Sequence, residues 1–297
     1  MPLNVEACPL CKAEGSLIFD RREFRGMKVA NRLCSNCGFV YQSPRMSERE
    51  VAAFYEGSYR QFYQDSEEPT QEDLSVQRSR AKTISAFLRN CGVESIHRYL
   101  DIGSSTGILM EKIHSDYSCE IVGVEPGSAY RAFALERGVR VYATLDEVET
   151  GGERVFDLIS LLHVLEHLPD PVGYLQHLRS KYLASNGWLL IEVPNLYAHD
   201  CFEVAHLSAF SEFTLRNALA AAGYSVTRMK RHGEPRSRLI PLYLTVLAKP
   251  NGQGAGIWAE KPAREKGVTL KRRTGMLHRR ILERLFPGQA WLPVDTN

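Results

Sequence analysis

The sequence predicts an α/β fold in which a parallel sheet, covered by helices on both faces, is completed by an antiparallel strand. Three observations carry this. Apolar runs at 99–102, 121–124, 139–142, 158–162 and 188–193 are separated by helix-length segments, the rhythm of βαβ units. Two further runs, 224–229 and 239–247, lie too close together for a helical crossover, so the second is expected to pair antiparallel. A glycine-bearing loop follows the first run and opens a helix, and an acid ends the second run.

The composition fits such a fold. At 297 residues, with 44% hydrophobic and 24% charged residues, the chain can bury one sizeable core and carry smaller attachments. The expected division is a cysteine-bearing unit over 1–45, a helical linker over 46–95, the α/β domain over 96–250 and a basic tail over 251–297. No apolar run approaches the roughly 20 residues that span a bilayer, and the start MPLNVEACPL lacks the basic-then-apolar layout of a secretory leader, so a cytoplasmic protein is expected. The net charge of +2 is unevenly placed: residues 251–297 hold nine Lys/Arg against four acids, which leaves the rest at −3.

Four of the seven cysteines form two pairs, Cys8-Pro9-Leu10-Cys11 and, 22 residues later, Cys34-Ser35-Asn36-Cys37. Paired Cys-x-x-Cys knuckles place four thiolates around one tetrahedral ion, so this segment reads as a zinc ribbon. Four unligated cysteines would leave it little core to fold around. With four sulfur ligands there is no open position, and the zinc is expected to be structural. Cys91, Cys119 and Cys201 read as buried or incidental thiols.

In the linker, Val51, Phe54 and Tyr55, then Ile84, Phe87 and Leu88, recur at helical spacing on either side of a charged break at 65–73, which predicts two helices. Beyond the NGQGAG linker, a basic helix over 270–286 carries Leu277, Ile281 and Leu285 on one stripe. That stripe suits packing on its own domain or on a twin subunit in a homodimer; a membrane-surface or phosphate-binding role is the alternative.

The chemistry is concentrated at two strand ends. Leu100-Asp101-Ile102-Gly103-Ser104-Ser105-Thr106-Gly107 lets the backbone turn tightly beside a ligand, and Glu125, in Val122-Gly123-Val124-Glu125-Pro126, stands where an acid can bind ribose hydroxyls. Loop, strand context and acid together indicate a nucleoside site. The pattern resembles the acidic-x-Gly-x-Gly-x-Gly signature of class I S-adenosylmethionine methyltransferases, with Ser105 in place of the middle glycine. The resemblance covers roughly 98–248, through Phe156-Asp157-Leu158-Ile159 and Gly187-Trp188-Leu189-Leu190-Ile191-Glu192-Val193-Pro194-Asn195. It implies a Rossmann-like seven-stranded methyltransferase sheet with the last strand antiparallel, and S-adenosylmethionine as cofactor. It also implies Asp101 and Gly103 at the methionine end, Glu125 on the ribose, and Ser104, Thr106, Gly107, Pro126, Leu162 and His163 along the rest of the cofactor. An NAD-binding dehydrogenase is the nearest competitor, but it would carry Gly-x-Gly-x-x-Gly and lacks the final antiparallel strand.

After the fourth core strand comes His163-Val164-Leu165-Glu166-His167-Leu168-Pro169-Asp170-Pro171, at the sheet edge where ligands bind. His163, Glu166, His167 and His206 are the candidate catalytic residues. In small-RNA 2′-O-methyltransferases and ubiquinone-pathway O-methyltransferases a similar segment, with glutamate first, supplies metal ligands; His163 replaces that glutamate here, and His206 would be a fourth ligand. Three readings stay open: a catalytic metal, a base or substrate-positioning role, and a structural Glu-His pair. An imidazole base of ordinary pKa at His167 would lose activity below about pH 6.5.

Residues 34–63 are similar to the segment that leads into methyltransferases of bacterial polysaccharide and deoxysugar pathways, in which a zinc module precedes a Tyr-rich segment over the cofactor pocket. Tyr55, Tyr59 and Tyr63 share one helical face and are expected to form such a lid or to pack in the core. The resemblance implies C- or O-methylation of a small acceptor, a sugar or nucleotide-linked sugar. An RNA methyltransferase using the ribbon and basic tail is the alternative, against which the −3 on residues 1–250 argues. A non-catalytic cofactor-binding scaffold is a third reading, disfavoured by the intact loop and Glu125.

Overall fold

The computed structural model describes residues 3–293 apart from 58, 65, 153–154 and 252–262, and for 48, 52, 55–57, 59, 60 and 64 the backbone alone. The chain opens with β1 (Ser16–Phe24), β2 (Met27–Cys34) and β3 (Val40–Gln42), an antiparallel meander. The linker is helical on either side of the charged break: α1 (Glu48–Gly57) and α2 (Tyr59–Gln64), to either side of residue 58, come before it and α3 (Gln71–Asn90) after it. The charged break ends at Thr70, whose hydroxyl accepts the Asp73 N–H while the Asp73 carboxylate accepts the Thr70 N–H; this reciprocal cap starts α3.

The α/β domain runs β4 (Arg98–Ile102), α4 (Ile108–Tyr117), β5 (Glu120–Val124), α5 (Ser128–Glu136), β6 (Val141–Tyr142), α6 (Leu145–Thr150), β7 (Phe156–Leu162), a 3-10 turn at Leu165–His167, α7 (Pro171–Lys181), β8 (Leu183–Pro194), β9 (Ser208–Ala209), α8 (Glu212–Ala221), β10 (Tyr224–His232) and β11 (Tyr243–Pro250). The large sheet has the order β10-β11-β8-β7-β4-β5-β6, and β11 is antiparallel to both its neighbours while β8, β7, β4, β5 and β6 run parallel. This is the expected seven-stranded sheet. β11 starts later than its apolar run because residues 239–242 belong to the β10–β11 connection, where the Ile240 carbonyl lies so close to Gly233 that no Cβ would fit.

Both faces of the sheet are buried, which is why its strands read as unbroken apolar runs. Leu100, Ile159 and Ile191 pack toward α7 and α8, and their chain neighbours Tyr99, Leu158 and Leu190 toward α3 and α4. The ribbon segment belongs to the first of these cores. Phe39 and Tyr41 are buried in it, the Phe39 ring lies 5.2 Å from that of Phe210, and β3 pairs antiparallel with β9 through Val40–Ala209 and Tyr41–Ser208. After residue 262 the chain forms α9 (Val268–Leu285) and α10 (Pro287–Ala290). Among the described residues no helix is long and apolar enough to cross a membrane.

Because the N-terminal unit and the large sheet share a core, Phe39→Ala is expected to lower stability by about 3–5 kcal/mol and to move one cooperative melting transition. Calorimetry showing an early, separate transition with the main midpoint unchanged would contradict the shared core.

Candidate active site

The strand order reverses between β4 and β7, and the crevice that this leaves at their carboxyl ends is a cavity of about 630 Å³. Asp101, Gly103, Ser104, Glu125, Pro126, Leu162, His163 and His167 all line it. Thr106 and Gly107 do not. The Thr106 hydroxyl donates to Gln77 of α3, and Gly107, at φ +78°, starts α4 against Val139.

The loop after β4 is held in shape from two sides. Gly103 and Ser104 donate to the Val124 carbonyl at 2.8 and 2.9 Å, and Ser105, left-handed at φ +53°, donates its N–H to Glu125 Oε2 at 2.8 Å. Gly103 needs to be glycine twice over: its φ is +73°, and a Cβ would come within 2.5 Å of Val164 Cγ2. Glu125, whose Oε1 also accepts the Gly127 N–H at 2.9 Å, is thereby pinned across two strand ends with its carboxylate at the cavity. Asp101 is buried, accepts from Ser160 Oγ at 2.5 Å, and burial pushes its pKa up to about 7. Ser104 Oγ is buried with no hydrogen-bond partner among the described residues.

On the opposite side, His163, at φ +56°, stands between two carboxylates, Glu192 Oε1 at 3.2 Å from its Nε2 and Glu166 Oε1 at 3.4 Å from its Nδ1. His167 donates from Nδ1 to the Ala205 carbonyl at 2.9 Å, which leaves Nε2 as the nitrogen with a lone pair; burial pulls its pKa down to about 4. Glu166 and His206 lie behind it, off the cavity. Burial would raise the Glu166 pKa, but His163 first and then His167 and His206 outweigh it and hold it at about 2. At His206 burial opposes protonation, yet the Glu203 carboxylate at 2.8 Å prevails and raises its pKa.

Glu166, His167 and His206 offer ligand atoms within 4.8 Å of one another, whereas His163 is outside that group. An ion there would have to take His206 Nε2 from Glu203, while Nδ1 of His206 is engaged by the Cys201 carbonyl at 3.0 Å. The cysteines offer a better cage. All four Sγ atoms lie within 4.8 Å of one another, with Cys8–Cys37 at 3.7 Å and Cys11–Cys34 at 3.6 Å. Zn–S bonds of about 2.3 Å in a tetrahedron require sulfurs about 3.8 Å apart.

Several cavity residues were not singled out in the sequence. Arg80 of α3 and Arg236 of the β10–β11 connection line it beside His163, and Glu72, Asp73 and Asp146 line it on the β5–β6 side with Glu125. Glu192 is fully buried on β8 and meets Arg80 Nε at 3.2 Å, His232 Nε2 at 3.3 Å and Thr245 Oγ1 at 2.6 Å. A lone acid inside an apolar strand run was its visible signal; the arginines gave none. Of the three tyrosines expected as a lid, Tyr55 and Tyr59 have side chains outside the described residues. Tyr63 packs on Phe24 at 5.9 Å and accepts the Ala205 N–H at 3.2 Å, away from the cavity lining.

The strand order, the single antiparallel strand and the loop–acid pair at the first two strand ends define a class I, Rossmann-like methyltransferase domain. Residues 62–228, more than half of the chain, match the profile of a family described as methyltransferase domain, and the chain belongs to that family. Among curated proteins it is similar to the ubiquinone biosynthesis O-methyltransferases of Hahella chejuensis, 33% identical over 85 residues (26% of this chain, 35% of that one), and of Photorhabdus laumondii, 34% over 80 residues (25% and 33%). The chain thus spans about a third of the length of these relatives. Among solved structures, the 1,6-didemethyltoxoflavin-N1-methyltransferase of Burkholderia thailandensis superposes with a TM-score of 0.55 at 20% identity, over 78% of this chain and 99% of that one. The plantazolicin methyltransferase gives 0.51 at 12%, over 68% and 94%. At these identities the two share the fold.

Proposed function

We propose that the protein transfers a methyl group from S-adenosylmethionine to a small acceptor bearing a sugar, with a nucleotide-linked sugar as the preferred form. The observation that carries this is the cavity at the switch point, where Asp101, Ser104 Oγ, without a partner among the described residues, and the pinned Glu125 face one space with His163 and His167 opposite. The two structural neighbours named above support the cofactor part of this reading: the first was solved with 1,6-didemethyltoxoflavin and S-adenosylhomocysteine, the second with S-adenosylhomocysteine.

The donor set fits the cofactor. Glu125 retains lone pairs for two ribose hydroxyls after accepting Ser105 and Gly127, and Asp101 with Ser104 Oγ suits the ammonium and carboxylate of the methionine part. When bound, S-adenosylmethionine supplies a methyl group already activated on a sulfonium. The chain has then to align the acceptor and take up its proton. Alignment falls to His163 and Arg80, both fixed by Glu192, and to Arg236, which has no acidic partner among the described residues and suits a phosphate on the acceptor. His167 Nε2 accepts the proton of a hydroxyl or acidic carbon as the new bond forms. The Cys8, Cys11, Cys34 and Cys37 cage would hold one structural zinc per chain.

With labelled S-adenosylmethionine and a cell extract, label is expected in a sugar-containing small molecule identified by mass spectrometry; label only in RNA, or none, would overturn the reading. His167→Gln should lower turnover about 10²-fold with cofactor affinity unchanged. Since His167 becomes protonated only near pH 4, its accepting form persists below the range of a free imidazole; with the cofactor saturating, so that its ammonium keeps Asp101 ionised, turnover should stay level from pH 8 to about 5. Full activity of the variant, or a fall beginning near pH 6.5, would remove His167 as the base. Elemental analysis should find one zinc per chain; none in freshly purified protein would exclude the cage.

A further inference from the structure

α9 keeps most of its aliphatic side chains on the side away from the protein. Its inner side is held largely by polar contacts: Arg272, buried, donates to the carbonyls of Leu196 and His199, and Arg279 donates to the Ala198 carbonyl at 3.1 Å, while only Val268 and Leu282 pack on apolar clusters there. Gly275 lies so close to the Tyr197 carbonyl that no Cβ would fit, so this side rests directly on the 195–200 segment. The outer side is aliphatic: Leu270, Leu277, Ile281 and Leu285 are 66%, 58%, 46% and 62% exposed. On a 3.6-residue repeat these four fall within about 80° of arc, a continuous stripe. A helix packed by burying its apolar stripe, as the sequence allowed, would show the reverse.

The charges around the stripe say what covers it. Arg273, Arg280 and Arg284 border it, all exposed and without an acidic partner among the described residues. The helix has a single acid, Glu283, which faces inward, where it accepts from Arg279 Nε at 2.8 Å and Trp291 Nε1 at 3.2 Å. We propose that α9 is a docking helix that lies in the surface of an anionic lipid bilayer, with the aliphatic stripe entering the acyl boundary and the three arginines among the headgroup phosphates. A second copy of the chain fits poorly, because a symmetric pairing of this face sets unpartnered arginines against their equivalents. A nucleic-acid backbone would meet the arginines and leave four aliphatic side chains against phosphate. The helix is anchored around the acceptor side of the cavity: besides 195–200, the C-terminal residues bond to the connection that carries Arg236, through Leu292 N to the Arg236 carbonyl at 2.9 Å and Arg238 N to the Gln289 carbonyl at 3.0 Å.

The test is co-sedimentation of the full chain with vesicles of pure phosphatidylcholine and with vesicles in which about a third of the lipid is phosphatidylglycerol. Binding is expected to the anionic vesicles only, weakening as salt rises. Leu277→Ser with Ile281→Ser should lower the partition coefficient at least tenfold, and Arg280→Gln with Arg284→Gln roughly thirtyfold, from about 1 kcal/mol per basic residue near such a surface. Since these side chains point to solvent, both variants should keep the parent melting midpoint. Equal binding to both vesicle types, binding to neither, a soluble dimer split by Ile281→Asp, or RNA binding without vesicle binding would each overturn the proposal.

Discussion

The carboxylate of Glu125 ties together the two strand-end loops on which the cavity is built. One oxygen takes the Ser105 N–H and the other the Gly127 N–H. A left-handed serine costs roughly 1–2 kcal/mol, and a hydrogen bond to a charged acceptor contributes about 1.5–3 kcal/mol, so the bond to Glu125 is enough to hold Ser105 at φ +53°. The position of that loop in turn sets where Gly103 presses on Val164 and where Ser104 Oγ and Asp101 face. A carboxylate already fixed from two sides loses little rotamer freedom when it binds a diol, which favours a tight and oriented nucleoside site.

The opposite side of the cavity is organised by a second carboxylate. Glu192 is fully buried, and taking its charge out of water costs several kcal/mol. Burial alone would raise its pKa, but His163, His232 and Arg80 converge on it and hold the pKa well below the ordinary carboxylate value. Its partners come from the end of β7, from α3 and from β10 and β11, so it binds four elements at one point. An apolar residue of similar volume would pack there at lower cost; what the charge adds is orientation of Arg80 and His163 at the cavity. The result is a polarised site, acidic beside β5 and β6 and basic beside β8 and β11.

Much of this was legible in the chain. Parallel strands buried on both faces leave continuous apolar runs, so five of them could be placed, and the short interval before the last run fixed the direction of β11. The Gly103 loop and Glu125 were legible because their backbone geometry demands particular residue types. Arg80, Glu192 and Arg236 converge only through tertiary packing across α3, β8 and the β10–β11 connection, and no local spacing records it. The lid expectation shows the same limit from the other side: Tyr63 shares a helical period with Tyr55 and Tyr59, but it packs with Phe54 and Phe62 of the linker onto Phe24 of the N-terminal hairpin. For α9 the stripe was legible and its direction was not, since only the contacts of Gly275 and Arg272 show which face is docked.

The central claim is that the pinned carboxylate of Glu125 receives the ribose of the cofactor. A crystal structure of the protein with S-adenosylhomocysteine tests it most directly. The expected result is a nucleoside in the switch-point cavity with both ribose hydroxyls about 2.6–3.0 Å from the Glu125 oxygens and the amino-acid part beside Asp101 and Ser104. A nucleoside bound elsewhere, or bound in the cavity with its ribose away from Glu125, would contradict it.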